Sequence, residues 1–190
     1  MLYRRNLPHL YFNDGMYFIT YRLVNTIPLK MLSIIHSELK IIDNKKYERI
    51  IKKYDSVLDS GEYGKNYLHI KEVAEICRTT LQYPDGKDYK LICFTIMPNH
   101  VHLVFELLPG NKGISKIMQS IKRISARRAN LFLQREGSFW QDESFDRWIR
   151  NEKELYFTIK YVLLNPVNAR LVKEWNEWKY SYCNKNYLVL

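Results

Sequence analysis

The chain has 190 residues, of which 30 are Lys or Arg and 20 are Asp or Glu, so its formal net charge is +10. This balance favours a polyanionic partner such as nucleic acid, and no stretch of the sequence reaches the roughly 18 apolar residues of a membrane span. The three scattered cysteines form no C-x-x-C pair, so we expect neither a disulfide framework nor a cysteine zinc site, and we expect one domain in a reducing cytoplasm.

The first half of the chain predicts a strand followed by helices. Residues 15–24, GMYFITYRLV, are rich in aromatic and β-branched side chains and predict the first strand. Residues 29–55 have helical spacing that DNKK at 43–46 could interrupt. A loop is expected over 58–66, and a second amphipathic helix over 69–81.

A hairpin with two histidines follows. Residues 89–97 and 100–108 predict two strands, separated by a tight break at Pro98. Side chains alternate between the two faces of a strand, so His100 and His102 point to the same side. Neutral imidazole is a common metal ligand. The pair therefore suits a shared metal ion, and the alternative is a hydrogen-bonded pair on a polar sheet face.

The next predicted helix, over 111–136, is strongly basic. Its residues 111–135 include Lys and Arg but no acidic residue. The candidate DNA-contacting side chains are Lys112, Lys116, Lys122, Arg123, Arg127 and Arg128. Four of these cations fall on one stripe and the isoleucines mostly on another, which is the geometry of a phosphate-contacting face. A merely solvated helix face is the competing interpretation.

The last predicted helix, over 151–165, offers a tyrosine and an amide. Tyr161 projects about 200° from Ile159 around the helix, away from the expected core face. Asn165 lies one turn further on, so the two side chains could approach a neighbouring site together. The alternative is an exposed tyrosine and an asparagine that ends the helix before Pro166. Strands and helices in this order predict an α+β fold with a mostly antiparallel sheet.

Four segments, in this order, resemble the single-tyrosine HUH transposases, and most closely the REP-associated tyrosine transposases. They are YFITYRL, like the first strand of that family, MPNHVHLV, like its His-hydrophobic-His motif, MQSIKRISARRAN, like its basic helix, and FWQDESFDRWIRNEKEL with YVLLNPVNARLV, like its tyrosine helix. The resemblance covers about residues 15–180. Arg170 stands where glycine is usual in the family.

The resemblance implies a ferredoxin-like α+β domain over 1–190 with a core at about 15–180. It implies that Tyr161 is the nucleophile, that His100, His102 and Asn165 bind the metal, and that the metal is Mg²⁺ or Mn²⁺. The implied activity is nicking and joining of single-stranded DNA through a 5′-phosphotyrosine intermediate. The implied partner is single-stranded DNA that contains a hairpin, bound by a monomer or a homodimer without a membrane.

Two other functions stay open at this point. One is a single-stranded nucleic-acid binding protein that keeps the basic helix and lacks the chemistry. The other is a histidine-metal phosphohydrolase in which water attacks the phosphate. A covalent adduct between DNA and protein separates the tyrosine mechanism from both alternatives.

Overall fold

The computed structural model describes residues 14–39 and 53–188, and its framework is one antiparallel sheet with helices on both faces. The strands are β1 (Met16–Arg22), β2 (Tyr89–Ile96), β3 (His100–Leu107), β4 (Phe145–Ile149) and β5 (Ser181–Cys183), in the spatial order β4-β1-β3-β2-β5. The helices are α1 (Leu29–Leu39), α2 (residues 53–59), α3 (Lys71–Gln82), α4 (Ile114–Phe132) and α5 (Glu152–Asn168). None of the helices described is long and apolar enough to cross a membrane.

The chain order confirms the predicted α+β, ferredoxin-like arrangement. A first strand and helices lead into the β2–β3 hairpin, and α4 then leads to β4 beside β1. The predicted hairpin pairs antiparallel, and the Met97 N–H donates to the His100 carbonyl at 2.8 Å across its turn. The short strand β5 adds to the outer edge of β2.

The sheet separates two apolar clusters. On one face, Tyr17, Ile19 and Leu103 pack with residues of α3 and α4. On the other face, Phe18 and Val104 pack with residues of α5. Because strand side chains alternate, the even-numbered residues of β3 and β1 face the α5 side. The two histidines of β3 therefore lie on the α5 side of the sheet, and α4 lies on the other.

Several predicted boundaries are wrong. The helix that ends near Asp55 in the prediction continues to residue 59, inside the expected loop, while the expected break at 43–46 lies outside the described residues. Strand β4, whose five residues pair with β1, lies between the two predicted helices and was not predicted. Strand β5 was not predicted at all. Both strands are short and lie at sheet edges, where propensity gives little signal and pairing decides the structure.

Helix α5 also continues past its predicted end. It contains Pro166 and extends to Asn168. Proline removes one backbone donor, but the last turn is closed by the Ala169 N–H donating to the Asn165 carbonyl at 2.9 Å. Arg170 follows with a φ of 58°, in the left-handed region that ends many helices. The residue that replaces the usual glycine of the family thus adopts the conformation that glycine favours.

Candidate metal and tyrosine site

The two histidines of β3 face each other in the interior. His100 and His102 are both fully buried, and their Nε2 atoms are 3.1 Å apart. The Asn99 amide nitrogen donates to the Leu58 carbonyl at 2.8 Å, which leaves its oxygen to accept from His100 Nδ1 at 2.7 Å. We assign the His100 proton to Nδ1 from this network, so its Nε2 lone pair points into the site.

The second histidine is held by β1. His102 Nδ1 lies 2.8 Å from the Thr20 hydroxyl, which is directly opposite it in the sheet. The hydroxyl can accept a proton from this ring nitrogen, so both imidazoles can turn their Nε2 atoms toward one point. Hydrogen bonds to the other ring nitrogen are what orient metal-ligating histidines.

Burial keeps both imidazoles neutral. It lowers the pKa of His102 to about 3. Burial, and then the neighbouring His102, hold the pKa of His100 well below its usual range. Neutral imidazole is the form that binds a metal ion, so the pair is ready to bind one across the physiological pH range.

Two aspartates of α2, which the sequence analysis did not select, lie against this pair. Asp55 Oδ2 is 4.0 Å from His102 Nε2, and Asp59 Oδ1 is 3.9 Å from His100 Nε2. Burial, and then the neighbouring Asp59, raise the pKa of Asp55 well above its usual range. Burial raises the pKa of Asp59 to about 7. The sequence signal that could have identified them is the Asp-x-x-x-Asp spacing, which places both side chains on one side of a helix. This spacing is also common on solvent-exposed helices, so it does not by itself indicate a site.

Tyr161 of α5 also reaches the histidines. Its ring centroid lies 5.7 Å from that of His102 and 6.0 Å from that of Phe18. Its hydroxyl is buried and has no hydrogen-bond partner among the described residues. One turn on, Asn165 is 2% exposed, and its Oδ1 also lacks a partner there.

The prediction that Tyr161 and Asn165 point away from the core is therefore wrong. Both face inward, since Tyr161 packs against Phe18 and His102 of the sheet and Asn165 is buried. An inward-facing tyrosine and amide can pack there without ending the apolar stripe of the helix. The role of Asn165 as a metal ligand stays a prediction.

The donor atoms fit a divalent cation. One ligand atom each from Asp55, His100 and His102 all lie within 4.8 Å of one another. Two donors bound to one ion at about 2.1 Å are at most about 4.2 Å apart. The 3.1 Å between the two imidazoles and the 4.0 Å between Asp55 and His102 fall within that limit, and the 4.8 Å bound on all three atoms exceeds it by only about 0.6 Å. The unpartnered Asp55 oxygens point to the same conclusion.

The candidate DNA-contacting residues lie on the opposite face of the sheet. All of them except Lys112 belong to α4, whose buried side chains join the cluster on that face. Lys112 precedes the helix and pairs with Asp88 at 2.8 Å. Lys122 donates to the carbonyls of residues 141 and 142 at 3.0 Å and 3.1 Å.

The exposed cations on α4 are Lys116, Arg123, Arg127 and Arg128. A surface groove is lined by Lys112, Lys116, Gln119, Ser120 and Arg123.

Comparisons with known proteins identify a family for this chain. Residues 62–163 match the family described as "Transposase IS200 like". The REP-associated tyrosine transposase of Escherichia coli K12 is 24% identical over 50% of this chain and 54% of its own length, so the match spans about half of that relative. A putative REP-associated tyrosine transposase of Haemophilus influenzae is 26% identical over 62% of this chain and 71% of its own length.

A solved structure extends the similarity to the fold. The structure of a REP-associated tyrosine transposase bound to a REP hairpin superposes with a TM-score of 0.61 at 18% identity, and the alignment covers 95% of this chain and 81% of that one. At this identity the similarity concerns the fold. Together with the family match over more than half of the sequence, it leads to one conclusion: this chain belongs to the IS200-like transposase family.

Proposed function

We propose that this chain is a single-domain enzyme that nicks and rejoins single-stranded DNA through a covalent bond to Tyr161. The observation that carries the proposal is the position of Tyr161. Its unpartnered hydroxyl belongs to a ring that packs against His102. A phenol buried without a hydrogen bond costs stability, so a reactive role accounts for its retention. The family match is the second support.

The proposed reaction is an in-line displacement at phosphorus. The Tyr161 oxygen forms a bond to the scissile phosphorus, and the bond from phosphorus to the 3′ oxygen breaks. The phenol proton is lost, and the leaving 3′ oxygen gains a proton. The products are a DNA 5′ end linked to Tyr161 and a free 3′-hydroxyl. Because the new bond is again a phosphodiester, attack by a 3′-hydroxyl of another strand can reverse the step without ATP.

Tyrosine needs assistance, since a phenol with a pKa near 10 is mostly protonated at neutral pH. When bound, a divalent cation polarises the phosphate and stabilises the charge that develops on it. His100 and His102 would hold this cation, with Asn165 as the expected polar ligand from α5. Mn²⁺ suits both imidazole and oxygen donors, and Mg²⁺ prefers oxygen donors.

The proposed substrate is single-stranded DNA that contains a hairpin. The solved neighbour of the same fold is described as bound to a REP hairpin, and we extend that class of ligand to this chain. The net charge of +10 and the exposed cations of α4 provide electrostatic attraction to DNA. Because α4 and Tyr161 lie on opposite faces of the sheet, one DNA segment would be held by α4 while another reaches the tyrosine.

Incubation of the protein with labelled single-stranded DNA from the flanks of its own gene, in Mn²⁺, tests the proposal. A denaturing gel should show a covalent protein-DNA band together with a shortened strand that ends in a 3′-hydroxyl. Cleavage without a covalent band would favour attack by water. Binding without cleavage, with Mn²⁺ present, would favour a binding protein.

A further inference from the structure

The carboxylates of α2 face the histidines without a partner of their own. Asp55 and Asp59 lie one turn apart on the same side of the helix. Asp55 is 4% exposed, and within residues 14–39 and 53–188 neither of its oxygens has a hydrogen-bond partner. The same holds for Asp59 Oδ1. Buried carboxylate oxygens left unpaired are costly, so this arrangement calls for a cation.

Helix α2 is held in place by contacts that do not involve these carboxylates. Arg22 Nε donates to the Tyr54 hydroxyl at 2.9 Å, on one side of Asp55. The Asn99 amide donates to the Leu58 carbonyl at 2.8 Å, next to Asp59. The fold therefore places both aspartates against the imidazoles, while three of their four carboxylate oxygens have no hydrogen-bond partner among the described residues.

We infer that α2 completes the metal centre, with Asp55 as a direct ligand beside His100 and His102 and with Asp59 as an outer carboxylate. The inference rests on the metal dependence proposed above. The 4.0 Å between Asp55 Oδ2 and His102 Nε2 lies within the span of two donors on one ion. Asp59 stands on the more exposed side, where its side chain is 20% exposed, and suits a contact through water.

This ligand set has two consequences. Two imidazoles and one carboxylate favour Mn²⁺ over Mg²⁺, because Mg²⁺ binds through oxygen and keeps most of its waters. A cation held between β3 and α2 also ties the helix to the sheet. Metal binding should then raise the melting temperature of the whole protein, as for any ligand of the native state.

Calorimetric titration with Mn²⁺ and melting curves in EDTA test the inference on the full chain. Asp55→Asn should weaken Mn²⁺ binding by at least about 100-fold and Asp59→Asn by about 10-fold, the sizes expected for a ligand and an outer partner. Glu62→Gln, which removes an exposed acid just beyond α2, is the matched control and should leave binding unchanged. Because Asp55 has no partner to lose, Asp55→Asn should melt in EDTA no earlier than the wild type.

Three outcomes would overturn the inference. The first is that the wild type binds no Mn²⁺, and the second is that Asp55→Asn binds Mn²⁺ with an affinity within threefold of the wild type. The third is that Asp55→Asn melts at a far lower temperature than the wild type in EDTA, which would show that Asp55 has a structural role. The nicking assay separates the two proposals. If Asp55→Asn loses Mn²⁺ binding but the wild type does not nick DNA, this inference stands and the nicking function is refuted. If the wild type nicks DNA but Asp55→Asn binds Mn²⁺ as the wild type does, the nicking function stands and this inference is refuted.

Discussion

Replacement of Tyr161 by phenylalanine removes the proposed nucleophilic oxygen and keeps the aromatic ring. The ring contacts with His102 and Phe18 remain, because only the hydroxyl is lost. That hydroxyl is buried and has no hydrogen-bond partner among the residues described. Removing an unsatisfied buried polar group relieves a penalty of about 1–3 kcal/mol. We therefore expect Tyr161→Phe to raise the free energy of unfolding by about 1 kcal/mol.

The same variant should lose all activity that passes through the covalent intermediate. With labelled single-stranded DNA and Mn²⁺, Tyr161→Phe should give neither the shortened strand nor the protein-linked band on a denaturing gel. Tyr156 is the control, since it lies on the same helix but is 40% exposed and packs edge-on against Phe157. Tyr156→Phe should keep the band, and peptide mapping of the wild-type adduct should find DNA on Tyr161.

Stability and activity can each refute this reasoning. A Tyr161→Phe protein that still forms the adduct, or loss of the adduct in Tyr156→Phe alone, would place the nucleophile elsewhere. A drop of more than about 1 kcal/mol in the free energy of unfolding of Tyr161→Phe would mean that the hydroxyl makes a stabilising hydrogen bond. In that case the tyrosine would be structural.

Three further predictions concern the metal, the DNA and pH. His100→Ala or His102→Ala should abolish cleavage and calorimetric Mn²⁺ binding while DNA affinity changes little, and undiminished Mn²⁺ binding in both variants would remove the pair from the metal site. The double variant Arg123→Ala and Arg127→Ala should flatten the slope of log DNA affinity against log salt concentration by about 1.4, since each phosphate contact with a single strand contributes about 0.7. An unchanged slope would assign both residues to a solvated face. In EDTA, the contribution of Asp59 to stability should fall as the pH rises from about 4 to 7, because the folded pKa of Asp59 is raised to about 7 from 3.8. The lowered pKa values of His100 and His102 act in the opposite direction over part of this range, so the prediction concerns the difference in stability between the wild type and Asp59→Asn. The protonated form of Asp59 stabilises the fold at low pH, and its loss should cost about 3 kcal/mol after screening. In chemical denaturation series of both proteins, the free energy of unfolding of the wild type minus that of Asp59→Asn should fall between about pH 4 and 7, and a difference that stays constant over this range would show that Asp59 is not perturbed.

The histidine pair shows what local sequence can decide. The alternation of side chains along a strand holds wherever the strand is placed, so the spacing of His100 and His102 was enough to predict that they share a face. The β2–β3 hairpin and the amphipathic helices α3 and α4 follow from similarly local patterns. The order of four motifs then pointed to the family that the comparison confirmed.

Contacts between distant segments were decided only by the tertiary structure. Asp55 and His102 are far apart in the chain, and nothing in the local pattern of α2 shows that its aspartates meet β3. The inward orientation of Tyr161 depends on its packing against Phe18 and His102 of the sheet, which a helical stripe cannot reveal. The placement of α4 on the opposite face from the tyrosine likewise depends on which side of the sheet each helix packs. Periodicity fixes which side chains share a face of one element, whereas packing between elements fixes what that face meets.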